Sequence, residues 1–155
     1  MSRDRRGFRF ALQPACTRAE WEIDSIQADN AILRQAFNNA EATAASIESA
    51  IAAADAHLLA NQGTNTLIDV DARRRALVYI GHLQGRLTDA RQAVEDARRA
   101  WDEGLARLRV ARQYAEGFER HRQTALAEHD AMVARQDYQA ASDDWLQRLQ
   151  WKDPA

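Results

Sequence analysis

Apolar residues recur along this chain at alternating steps of three and four, in two long stretches separated by a single break. The first stretch runs through Ile23, Ile26, Asn30, Leu33, Phe37, Ala40, Ala44, Ile47, Ile51, Ala54 and Leu58. The second runs through Ala76, Ile80, Leu83, Leu87, Ala90, Val94, Ala97, Trp101, Gly104, Leu108, Ala111, Ala115 and Phe118. A mean spacing of about 3.5 residues holds a stripe on one helix face and winds paired helices into a left-handed supercoil. The pattern therefore predicts helices over about 18–60 and about 72–150.

Local signals set the expected ends. "TRAE", Thr17 to Glu20, has the form of a capping box and puts the first start near Arg18. Pro14 suits a first turn a few residues earlier. Residues 1–13 read as a flexible basic arm ahead of a single hairpin domain over 14–155. "NQGTNTLIDVD", Asn61 to Asp71, breaks the chain with Gly63, and Asp69 or Asp71 is placed to cap the second helix.

The two stripes match when the chain folds back at that break. Aligning Asn30 with Gly104 sets Leu58 against Ala76, Ile51 against Leu83, Ile47 against Leu87, Phe37 against Ala97 and Leu33 against Trp101. Large residues frequently face small ones, as close packing requires. The Asn30–Gly104 layer leaves room for an amide or a water, and a buried Asn of this kind fixes register at some cost in stability. The expected fold is all-α: a two-helix antiparallel coiled-coil hairpin with a longer, overhanging second helix.

The alignment exhausts the first helix near Leu12 and Cys16, which fall opposite Arg122 and Phe118. The second seam then decays into Arg122, Ala125, His129, Met132, Gln136, Gln139 and Asp143, with no Gly or Pro between Glu119 and Gln150 to stop the helix. An overhang of about 30 residues, roughly 45–50 Å, is expected. On it Tyr138, Ala141, Trp145 and Leu149 share a face, with Leu146 and Trp151 nearby. This stripe either folds back on Phe8, Phe10 and Leu12 of the arm or docks on another protein. Docking is the favoured reading, because exposed aromatic clusters on a lone helix mark binding surfaces.

Composition narrows the class. In 155 residues the hydrophobic share is 46% but the aromatic share only 7%, with alanine supplying most of the rest, which suits long helices without a thick core. The net charge of −2 speaks against general nucleic-acid or acidic-membrane binding. The lone Cys16 excludes an intrachain disulfide and fits a reducing compartment. The N-terminal stretch lacks an apolar run long enough for a signal peptide, and no segment approaches the ~18 apolar residues of a membrane span. A cytoplasmic protein is expected.

Candidate chemistry is thin. His121 and His129 do not share a helix face, and His129 diverges from its neighbours Glu128 and Asp130. His57 and His82 lie near the hairpin break, where surface histidines are a plainer account than a shared zinc. Asp143 and Asp144 are sequence neighbours on a helix and make a poor acid/base pair. Gly81, Gly85 and Gly104 are spread along helix and form no phosphate loop, the first two being read as close approach or local softness near the hairpin tip. Arg73 to Arg75 suit a solvated first turn or an acidic partner. Glu103 with Arg107 and Glu116 with Arg120 are spaced as stabilising i,i+4 pairs, each worth about 0.3–0.5 kcal/mol. No catalytic, cofactor or metal site is expected, and the chain is read as not an enzyme.

A small hairpin with a long polar second helix and both termini at one end resembles the FliJ/YscO-type central-stalk family of type III secretion systems, flagellar or virulence-associated. The resemblance spans roughly Thr17 to Gln150 and is mostly architectural. Its closest textual echo is "FERHRQTALAEHDAMVARQDYQAASDDW", Phe118 to Trp145, similar to the family's charged C-terminal helix ending in an acidic pair. Arginine stands here where many members have lysine, and Asp-Asp where Asp-Glu is more usual.

That resemblance implies a non-enzymatic stalk at the cytosolic face of a bacterial inner-membrane secretion apparatus. By analogy with the γ-subunit of rotary ATPases, the end carrying Tyr138, Trp145, Leu146, Leu149 and Trp151 would enter a hexameric secretion ATPase, together with Arg3, Arg5 and Arg6 of the arm. The hairpin tip, with Leu67, Ile68, Val70 and Tyr79, would face the export gate protein. The competing readings are a self-associating coiled-coil scaffold and a secretion chaperone holding an export substrate.

Overall fold

The computed structural model describes residues 7–60 and 69–152, the last two as backbone only. Arg3, Arg5, Arg6, Leu67 and Ile68 lie outside the described residues, and so does the side chain of Trp151. Two helices account for nearly everything described: α1, Gln13–Ala60, and α2, Val70–Lys152. The all-α two-helix hairpin expected from the two seams is the observed fold.

The ends differ in detail from the sequence signals. α1 starts at Gln13, five residues ahead of Arg18, because the Leu12 carbonyl already accepts the amides of Ala15 and Cys16. Pro14 costs nothing there, since amides of the first turn have no intrahelical acceptor. Thr17 is then interior, and its hydroxyl donates to the Gln13 carbonyl four residues back instead of capping. α2 is capped as the aspartates suggest, by Asp69. Its Oδ1 accepts the Ala72 amide at 3.0 Å and its carbonyl the Arg73 amide.

The chain divides into two packed units. One joins residues 24–60 of α1 to 70–109 of α2, and the other joins the segment up to Ile23 to α2 from Val110 onward. In the first, the stripe is the core: Ala44, Ile47, Ile80, Leu83 and Leu108 are buried, Leu83 to 3% exposure. Asn30 and Gly104 are buried with them, and the remaining stripe positions of this unit are half-buried, as two helices without a third layer allow.

Its antiparallel register is fixed by named pairs. Asn30 Nδ2 donates to the Gly104 carbonyl at 3.1 Å, as the alignment requires. Phe37 stacks on Trp101, centroids 5.6 Å apart, where Ala97 is the aligned partner. Leu33 Cδ1 lies beside Gly104, where Trp101 is expected. Both shifts go one turn the same way, and helix geometry explains them. Side chains lean toward their own N-terminus, so in an antiparallel pair each long side chain meets the facing helix about a turn past its backbone neighbour. Arg91 and Glu48 close the flank at 2.8 Å.

Gly104 is the glycine that close approach demands. A Cβ there would overlap Asn30 Oδ1 and stand 3.0 Å from Leu33 Cδ1. Gly81 and Gly85, expected to mark close approach or softness, face open space and bring nothing nearer.

Candidate functional site

The second unit contains the end of α2 to which the exposed stripe belongs. Ala19 and Ala111 are its buried pair, with Cys16, Ala115 and Phe118 half-buried beside them. Arg122 and Cys16 are close enough to interact electrostatically. Here the expected decay of the seam is delayed. Ala125, Leu126, His129, Asp130 and Val133 remain half-buried, because the segment ahead of α1 runs along α2. Phe8 packs on the His129 ring with centroids 5.4 Å apart at 56°.

The chain ahead of α1 is irregular, with a turn closed by the Gln13 amide on the Phe10 carbonyl, and it brings Phe8 to the level of His129. The described part of the arm thus packs on the first turns of the expected overhang, and no described residue of it covers the aromatic stripe. Gly7, at φ 94°, turns the chain in a region that favours glycine.

Covering the His129 ring leaves its Nε2 buried without a hydrogen-bond partner. One turn or more earlier, Arg122 grips Glu119 in a two-point ion pair, Nε to Oε2 at 2.7 Å and Nη2 to Oε1 at 2.8 Å. That hydrogen bonding, joined by Gln123, holds the Glu119 carboxyl below its ordinary value of 4.5. The same contact raises Arg122.

Beyond Val133 no other part of the described chain covers α2. Tyr138 is 77% exposed, Trp145 61%, Leu146 49% and Leu149 45%, and Met132 is exposed as well. Tyr138, Trp145 and Leu149 recur at helical spacing on one face, flanked by an Asp144–Arg148 ion pair at 2.7 Å. The stripe is a strip of apolar surface on a charged helix.

The expected tip residues belong to the other unit. Val70 and Tyr79 are exposed at the start of α2, with Leu77 and Val78 exposed beside them. An open groove there is lined by Asp71, Arg74, Arg75, Val78, Tyr79 and His82. Sequence reading did not single out Leu77 and Val78, which sit off the seam. Their adjacency to Tyr79 was the available signal.

Among the described residues no cluster of three or more His, Cys, Asp or Glu could hold a metal ion. Among them, too, no helix is long and apolar enough to cross a membrane. The chain matches no family model, no curated protein and no solved structure.

Proposed function

We propose that this protein is a non-enzymatic coupling stalk of a type III secretion apparatus, whose α2 end inserts into a hexameric secretion ATPase while the hairpin tip addresses the export gate. One observation carries the reading. Tyr138, Trp145, Leu146 and Leu149 form an apolar strip that no other described residue covers, on a helix whose seam has already ended. Solvated polar helix needs no such strip; a partner's pocket does, and buried Trp and Tyr supply most of the energy at protein interfaces. The resemblance of Phe118–Trp145 to the family's C-terminal helix supplies the identity of the partner.

The test is binding of the full chain to the hexameric secretion ATPase of its host. Trp145→Ala and Leu149→Ala should each cost about 2 kcal/mol, roughly thirtyfold in Kd, with helicity unchanged. Equal affinity of wild type and variants would remove this face from the interface. Absence of any binding would remove the ATPase as partner.

A further inference from the structure

The outward surfaces of the two helices differ sharply within the unit formed by residues 24–109. Around α2, the positions turned away from the seam carry Asp89, Glu95, Asp96, Arg99, Asp102 and Glu103, as a solvated helix does. Around α1, from Ser25 to Ala60, the corresponding outward positions carry no charged residue. The ionic side chains of this stretch, such as Arg34, Glu41, Glu48 and Asp55, stand at the edge of the seam, where Glu48 pairs with Arg91. Near the two ends of the bare face lie large aliphatic side chains in open solvent, Ile32 at 69% and Leu59 at 67% exposure. Polar groups on it are turned to one another, Gln35 Nε2 donating to Asn39 Oδ1 at 2.9 Å, which lowers the cost of covering them.

We propose that this face of α1 associates with the same face of a second copy, antiparallel, about a twofold axis between Ala45 and Ser46. The register follows from the residues. That axis sets Ile32 against Leu59 of the second copy at both ends of the contact. It sets Gln35 against Ala56, Asn38 against Ala53 and Asn39 against Ala52, so each bulky amide meets a methyl group. Ala45 faces Ser46 at the centre, where helices approach closely. A charged partner would find nothing here to pair with, whereas this chain presents a matching uncharged helix at its own concentration.

The size sets the strength. In that register α1 meets α1 from Ala31 to Ala60, a contact about 45 Å long, and a helix strip about 10 Å wide gives roughly 450 Å² per copy. The total of about 900 Å² falls just short of the roughly 1,000 Å² of a stable specific interface, so the dimer is weak, reversible and concentration-dependent. It uses none of the residues from Tyr138 to Leu149, and so goes beyond the stalk reading and stands or falls separately from it.

Sedimentation of the full chain gives the first test: dimer is expected at about 100 μM, separating on dilution. Ala45→Glu places like charges beside the axis on a residue that keeps helix propensity, so it should abolish the dimer while leaving the helical signal intact. In a Cys16→Ser background, Ser46→Cys should oxidise rapidly to a covalent dimer. Ala60→Cys should not, because the axis separates it from its own copy by about 40 Å. A chain that stays monomeric at that concentration, a dimer indifferent to Ala45→Glu, or equal cross-linking at 46 and 60 would each overturn the proposal.

Discussion

Replacing Gly104 with alanine tests the packing of the hairpin at its tightest point. In an exposed helix the change is favourable by about 1 kcal/mol, since alanine restricts the unfolded chain. At this position the new Cβ overlaps Asn30 Oδ1 and crowds Leu33. Asn30 must withdraw, losing its bond to the Gly104 carbonyl, about 1 kcal/mol, while overpacking adds about 1–3 kcal/mol. The net expectation is a loss of about 1–3 kcal/mol. Gly81→Ala and Gly85→Ala are internal controls, because a Cβ at either meets nothing, and both should gain stability by about 0.5–1 kcal/mol. Urea unfolding followed by circular dichroism reads the difference, with protein concentration held fixed because self-association stabilises the fold. Asn30→Ala should relieve much of the Gly104→Ala penalty in a double-mutant cycle, as expected of side chains in contact. If Gly104→Ala is as stabilising as its two counterparts, the close approach of Asn30 is refuted.

Three further outcomes follow from particular contacts. Asp69→Ala removes the cap of α2 and should cost about 1 kcal/mol, seen as faster hydrogen exchange at the Ala72 and Arg73 amides. Because the folded-state carboxyl of Glu119 sits below its ordinary 4.5, its contribution is full above that value and fades as pH falls through the lowered one. Glu119→Gln should therefore lower stability slightly at neutral pH and converge on wild type as pH falls through the lowered value, flattening that acidic part of the stability–pH profile, which acid titration of both proteins checks. Phe8→Ala strips the cover from His129 and should move its ring resonances toward those of a solvated imidazole, without altering resonances of residues 24–109.

The hairpin was legible because its determinants are periodic. Each seam residue from Ile23 to Phe118 is buried or half-buried, and the Asn30–Gly104 layer stands out as a polar residue facing a glycine. Partner choice within a layer was legible only to within a turn, since Phe37 and Trp101 meet through side-chain lean and not through backbone level. The arm was harder. Phe8, Phe10 and Leu12 have no period that says where they land, because the chain ahead of α1 is irregular and turns between Phe10 and Gln13. Surface ion pairs were read with mixed success: Glu116 and Arg120 approach to 3.8 Å, Glu103 and Arg107 form none, and Arg148 instead finds Asp144. Such exposed pairs are too weak for spacing alone to settle them.

The amide of Asn30 has a mechanical consequence. Were α1 to slide along α2 by one heptad, Asn30 would leave its glycine notch and come against Ala97, whose methyl group occupies the space the amide needs and shields the backbone carbonyl behind it. The apolar layers on either side oppose that slide through packing, and the amide adds to it the penalty of a stranded polar group. This detent lets the pair bear push and pull along its length without creeping out of alignment.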